Sequence, residues 1–258
     1  MNDQIAALID RWSDVLVSGA IVFLRVGSFM ALVPGFGERS VPVRVKLGLA
    51  IAFTCVVAPA VAESLPDAPA SLVTGALLLL QETMIGLALG LVVRCGLLAI
   101  EMAGNWAAQS SSLSQMFGVA GEPMPAMSHL FVAAALALAM IGGLHVKLAA
   151  ALILSYDALP AGQMPQAILI EKWGVSQIAG AFDLAFSLSA PFAIAALIYN
   201  VALGFINRAM PALMVSFVCA PALTAGALVL LAITAPLMLA IWWHTFANLL
   251  ADPFKLSP

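Results

Sequence analysis

Apolar residues fall into six long runs, 15–37, 43–62, 72–100, 125–154, 174–206 and 209–250, parted by short polar or Pro- and Gly-bearing stretches. Each run can supply the roughly 20 residues that a helix needs to cross a bilayer. The pattern predicts an all-α, membrane-class chain of at least six long hydrophobic helices. The last run holds Pro211, Pro221 and Pro236 and is too long for one crossing even with tilt. A break or a fold-back hairpin is expected there, and with it a seventh element. The connections at 38–42 and 63–71 are short and carry Pro or Gly, so the helices they join should form antiparallel hairpins. No linker interrupts the sequence, and a single domain over 1–258 is expected.

Composition sharpens this reading. Hydrophobic residues make up 63% of the 258 positions and charged ones 9%, against roughly 25% charged in ordinary soluble domains. Mean hydropathy is +1.08. The net charge is -3 and the ten Lys and Arg are scattered, so there is no basic stripe for a phosphate backbone and nucleic acid is not expected as a partner. Cys55, Cys95 and Cys219 lie in apolar runs without paired spacing, which argues for small packing residues over disulfides or a zinc site. Asp3, Asp10, Arg11 and Asp14 precede the first run in place of a basic leader, so that run is expected to stay in the mature protein.

Polar residues inside the apolar runs carry the remaining information. Glu82 and Arg94 stand twelve residues apart in one helix, at different levels of the rod, so each needs a partner elsewhere. Glu82, Gly86 and Gly90 repeat every four residues and place one carboxylate and two bare Cα surfaces on a stripe suited to close helix approach. Asn200, Gly204 and Asn207 share another face, with Arg208 beside them and Pro211 closing the turn. In lipid such a face must be satisfied from within protein, and Arg208 is either an interfacial loop charge or a group paired at a contact. Residues 105–125 are polar, rich in Ser, Gly and Pro, and uncharged save Glu122. That stretch of about twenty residues is expected to be non-helical, and its length points to a functional or disordered loop.

Loop charges give only part of a topology. Arg39, Arg44 and Lys46 make the first loop basic and the Glu63 and Asp67 loop has no basic residue, which suggests an external N-terminus. The alternation then fails, because the connection between Glu101 and Glu122 should be internal yet has no Lys or Arg. Helices buried in other protein instead of lipid would produce such a failure. Enzyme chemistry is not indicated: His129, His145 and His244 lack metal-ligand spacing, and there is no phosphate-binding loop or nucleophile elbow around Ser110, Ser111 and Ser112. No catalytic, cofactor or metal site is expected.

In order along the chain, Arg25, Pro34, Phe36, Gly37, Pro42, Arg44 and Lys46, then Glu82, Gly86 and Gly90, then Ser155, Tyr156, Leu159, Pro160 and Gly162, then Asn200, Gly204, Arg208, Pro211 and Pro221 resemble the FliR/SpaR family of type III protein-export gate subunits. The sequence departs from the family's pattern at Gly104-Asn105 and in the serines after Gln109. The resemblance implies a non-enzymatic subunit at the bacterial inner membrane in the flagellar basal body. It implies one copy of this chain in a helical export gate with FliP-type and FliQ-type subunits, a FlhB-type switch protein nearby, and unfolded exported proteins as substrates. It also implies paired helical hairpins in a non-serpentine arrangement. By the same resemblance, Gln109, Ser112, Met116, Phe117, Gly118, Gly121 and Met124 belong to a channel plug. Glu82, Gly86, Gly90, Arg94, Asn200, Gly204, Arg208 and Pro211 are assigned to assembly contacts. A secondary transporter or ion channel using Glu82, Arg94 and Asp183 as intramembrane charges is the alternative.

Overall fold

The computed structural model describes residues 2–38, 40–66, 71–110, 126–163, 166–209 and 215–255, with side chains described from residue 15 onward and, in the last helix, from residue 225. These residues form helices and turns only. The helices are α1 (Asn2–Leu32), α2 (Val43–Val61, followed by a 3-10 turn at Ala62–Ser64), α3 (Leu72–Ser110), α4 (Ala126–Ile141), α5 (Leu144–Ala158), α6 (Ala167–Ala209) and α7 (Val215–Ala251). Five helical stretches among the described residues are long and apolar enough to cross a membrane, six if α4 and α5 count as one broken span. The expected all-α architecture of long hydrophobic helices is what the chain adopts.

Local chemistry accounts for the element ends. After α1 the chain turns at Pro34-Gly35, where Gly35 takes a φ of 82° that costs a glycine little. Lys46 Nζ donates to the Gly37 carbonyl at 2.9 Å and fastens this turn to α2. Ser71 and Thr74 cap α3 reciprocally: Thr74 N donates to Ser71 Oγ at 3.2 Å, and Ser71 N to Thr74 Oγ1 at 3.1 Å.

Three boundaries differ from the sequence-based expectation. The run 125–154 is not one helix but two, interrupted at Gly142–Gly143, where Gly143 has a φ of 77° and no preference for helix holds the chain straight. Residues 105–110, expected as loop, are the last turns of α3, because Ala107 and Ala108 continue its buried face at 0% and 1% exposure. The break expected in the last run is not at Pro221 or Pro236, since α7 passes through both; Pro211 lies outside the described residues. A proline deletes one backbone hydrogen bond and bends a long apolar helix without having to end it. The chain likewise continues through Pro191 in α6.

At 39, 43 and 37 residues, α3, α6 and α7 would be about 55–65 Å long at 1.5 Å per residue, against roughly 30 Å of bilayer hydrocarbon. Each must therefore tilt strongly, bend, or reach beyond the hydrocarbon layer.

Residues divide into two compact units, the first comprising 1–95, 143–178 and 247–258, the second 96–142 and 179–246. The first has a core of Val22, Val26 and Phe29 from α1, Val57 from α2, Ile85 and Leu89 from α3, and Leu148 and Leu152 from α5. Trp173 stacks on Phe254 and donates to the Pro253 carbonyl at 2.8 Å, tying the chain's last turn to α6. The second unit is built on Ile100 and Ala103 of α3, Phe131 and Ala135 of α4, Phe192 of α6, and Trp242 and Phe246 of α7. Many large apolar side chains on both units remain uncovered, more than a soluble protein presents to water. Cys55 is among the exposed residues, so it does not serve the packing role expected of it within this chain.

Candidate functional site

The strongest polar construction lies inside the first unit. Arg25 of α1 is fully buried at 0% exposure, as is Glu82 of α3. Arg25 Nε donates to Glu82 Oε2 at 2.7 Å and Nη2 to Oε1 at 3.1 Å, a two-pronged pair. Nη1 donates to the Ser155 carbonyl and to Ser155 Oγ, both at 3.1 Å, and Nη2 donates to the Leu159 carbonyl at 2.9 Å. Five contacts thus meet the five N–H donors of a guanidinium. Tyr156 covers the group, its ring centroid 3.7 Å from Arg25 Cζ. Ser155 Oγ donates in turn to the Leu152 carbonyl at 2.6 Å. The Leu159 carbonyl lies just past the end of α5 at Ala158, and the Ser155 carbonyl, which already accepts the capping Leu159 N–H at 2.9 Å, takes Arg25 as a second donor. One arginine therefore clamps α1, α3 and the end of α5 together.

The Glu82 stripe continues into backbone contact. A Cβ built on Gly86 would fall on Ser28 Oγ and the Arg25 carbonyl oxygen, and one on Gly90 would come to 2.8 Å from the Phe29 carbonyl oxygen. Ser28 Oγ itself donates to the Leu24 carbonyl at 2.7 Å, so it cannot move freely. The close-packing face of α3 is therefore filled by α1 of the same chain, and Glu82, Gly86 and Gly90 are buried in the fold instead of being presented to another subunit. The partner of Glu82 is Arg25. Sequence reasoning placed Arg25 only as one element of the family pattern; the available signal was that a buried carboxylate needs a cation, and Arg25 is the lone basic residue within the first apolar run.

The other assigned residues are more open. Arg94 is partly exposed and has one long contact, Nη1 to the Leu32 carbonyl at 3.5 Å, near the end of α1. Asn200, Gly204 and Arg208 lie on exposed positions of α6, and no atom comes within 4 Å of a Cβ built on Gly204. Asp183, also on α6, is exposed. Gln109 is exposed in the last turn of α3, a helical position and not a loop one. Ser112, Met116, Phe117, Gly118, Gly121, Met124 and Pro211 lie outside the described residues. Among the described residues no three His, Cys, Asp or Glu side chains gather as metal ligands.

Tyr156 gives a direct test of the clamp. Its hydroxyl is buried with no hydrogen-bond partner, while its ring faces the Arg25 guanidinium. Tyr156→Phe keeps the ring and removes the orphan, so unfolding temperature in detergent should stay level or rise. Tyr156→Leu should lower it, by the loss of a cation–π contact worth about 1–2 kcal/mol at a desolvated site. A Phe variant as unstable as the Leu variant would show that the hydroxyl, not the ring, matters.

The family described as bacterial export proteins, family 1, matches residues 16–249. Flagellar biosynthetic protein FliR of Caulobacter vibrioides is 29% identical over 90% of this chain and 93% of that protein. The FliR of Escherichia coli K12 is 31% identical over 91% of this chain and 92% of its own length. The FliR of Bacillus subtilis is 25% identical over 91% and 92% respectively.

Proposed function

Since the chain belongs to the bacterial export proteins, family 1, we propose that it works as a non-enzymatic subunit of the flagellar protein export gate, in the inner membrane at the flagellar basal body. The observation that carries this reading is the extent of the match, 16–249, which takes in every described helix in whole or in large part. Geometry supports a scaffold role: a clamp with every donor engaged holds one unit rigid, and uncovered apolar helix faces are left for lipid and neighbouring subunits. Its partners in this reading are FliP-type and FliQ-type subunits beside a single copy of this chain, with a FlhB-type switch protein. Its substrates are unfolded exported proteins. The transport-path alternative loses its first residue, because the Glu82 carboxylate is held by Arg25 at 0% exposure and is not presented to a moving ion.

The segment from Gln109 to Pro125 is the proposed movable seal of the channel. Ser112 is small and uncharged, Met116 and Met124 adapt their shape, Phe117 is bulky, and Gly118 and Gly121 permit hinging. Deleting the gene should abolish export of flagellar subunits into the medium, restored by the wild-type copy; normal export in the deletion strain would end the proposal. In assembled complexes, removal of residues 112–121 should raise small-solute leakage across the membrane while FliP- and FliQ-type partners still copurify, with Phe117→Ala a weaker form of the same leak. Unchanged permeability would mean that the segment is not the seal.

A further inference from the structure

Charge in the first unit is sorted by height. α1 and α3 lie side by side in the same direction: Arg25 meets Glu82, a Cβ on Gly90 would meet Phe29 and Leu32, and Arg94 Nη1 approaches the Leu32 carbonyl at 3.5 Å. α2 packs back along α1. The end of α1, the start of α2 and the Arg94 level of α3 therefore share one end of the unit. Lys46 is there too, with Nζ on the Gly37 carbonyl, and Gly37 N in turn donates to the Val33 carbonyl at 2.7 Å. Arg44 stands exposed in the first turn of α2. None of these three cations has a carboxylate within ion-pairing distance among the described residues, although Glu38 lies in the same turn. At the opposite end, the described residues 15–24, 61–66 and 71–81 include Glu63 and no Lys or Arg.

Arg94 belongs to no loop, so counting loop charges misses it; the fold brings it to the same end as Arg44 and Lys46. From Leu72 to Arg94 is 22 residues, about 33 Å of helix, which matches the roughly 30 Å of bilayer hydrocarbon. An acidic protein surface and an anionic lipid leaflet both offer counter-charges, and the neighbouring side chains separate them. Val43, Val45 and Leu47 alternate with Arg44 and Lys46 at 79%, 49% and 50% exposure, and Leu91 and Leu87 stand exposed one and two turns before Arg94. Long basic side chains carry their charge out to the phosphates while such apolar groups stay in hydrocarbon, whereas an acidic protein surface gives those apolar groups no cover. We propose that Arg44, Lys46 and Arg94 form a binding surface for the headgroup phosphates of anionic phospholipids, at the level where one hydrocarbon boundary crosses α3. This holds for any membrane role of the chain, so it stands or falls apart from the proposed function.

Arg44 is exposed and Arg94 has one long contact, so Arg44→Gln and Arg94→Gln should leave the unfolding temperature in detergent unchanged. Lys46 fastens a turn and is left in place. In complexes drawn from native membranes into dodecyl maltoside and stripped of lipid, phosphatidylglycerol or phosphatidylcholine is titrated back and the retained lipid counted by native mass spectrometry. Wild type should prefer phosphatidylglycerol. Each substitution should weaken that preference about fivefold and the pair about twentyfold, while Arg94→Lys keeps most of it, since the attraction to an anionic surface follows charge. Lys172→Gln, which removes a charge from α6 instead, should change nothing. Excess glycerol 3-phosphate or hexaglutamate should fail to displace the lipid. Equal retention of the two lipids by wild type, or a double variant within about twofold of wild type, would overturn the proposal. So would displacement by glycerol 3-phosphate, which would make the site one for free phosphate, or by hexaglutamate, which would assign the cations to an acidic protein.

Discussion

Arg25→Met should be the most damaging single substitution in the first unit, with accumulation in the membrane close to nothing and a cost of about 3–5 kcal/mol. The reason is what it leaves behind. Glu82 is at 0% exposure and both its oxygens accept from Arg25, so without the guanidinium a carboxylate stands in the unit's interior with no other ion-pair partner among the described residues. The Leu159 carbonyl loses its Arg25 donor as well, and the Ser155 carbonyl is left with the Leu159 N–H alone. Glu82→Gln should be milder, because a neutral amide is cheaper to bury and can still accept from Nε. The decisive comparison is the double variant Arg25→Met with Glu82→Met. Removing both charges eliminates the stranded ion, so the double variant should be more stable than Arg25→Met alone, measured as unfolding temperature in detergent or half-life in the membrane. A double variant that is no better would show that the carboxylate is not the source of the loss.

Arg25→Lys separates charge from shape. An ammonium keeps the ion pair but offers three donors from a point, and it cannot reach Glu82, Ser155 and Leu159 at once from the place where a planar fork does. The Lys variant should fall between wild type and Met, with the loosening concentrated where α5 ends.

The parts of this architecture that the sequence declares are those governed by period and by desolvation. Long runs of apolar residues gave the helices because in such a solvent every backbone group must be satisfied within its own segment. The spacing of Glu82, Gly86 and Gly90 gave the close-packing stripe, and the separation of Glu82 from Arg94 correctly excluded their pairing. What spacing does not reveal is which helix fills a stripe. That depends on which of several apolar surfaces meet in three dimensions, and here α1 fills it, with Arg25 anchored on Glu82 one turn from the glycines. Element ends were also hidden. Gly142–Gly143 interrupts an apolar run that reads as continuous, and the polar look of Asn105 and Gln109 masked the buried Ala107 and Ala108 that prolong α3. Prolines misled in the other direction, since Pro221 and Pro236, where a break was expected, both lie within the continuing α7. The seal residues and Pro211 fall outside the described residues, so that part of the site rests on sequence alone.

Gly86→Leu and Gly90→Leu should both prevent the first unit from closing, and the alanine variants should rank the two positions. Replacing glycine by alanine inside a helix ordinarily gains about 1 kcal/mol from propensity. At Gly86 that gain is opposed by direct overlap of the new methyl with Ser28 Oγ and the Arg25 carbonyl oxygen, and the carbonyl carbon lies only 3.0 Å away. The obstacle is backbone, held by the same α1 turn that carries the clamp, so relief requires pushing α1 off α3 and stretching Arg25 from Glu82. Gly86→Ala should therefore be destabilising by about 1–3 kcal/mol or more, the usual range for overpacking a tight contact. At Gly90 the nearest neighbours are the Phe29 carbonyl oxygen at 2.8 Å and Leu32 Cβ at 3.0 Å, close to the end of α1 where the chain can yield. Gly90→Ala should cost less, with propensity recovering part of it. A cavity-making Ser28→Gly change should rescue Gly86→Ala partially and leave Gly90→Ala unaffected, because Ser28 Oγ lies against the first position and not the second. The measurement is thermal unfolding of each variant in the same detergent. Equal tolerance of Ala at both sites, or rescue of Gly90→Ala by Ser28→Gly, would mean that the α1–α3 contact is not packed through these two glycines.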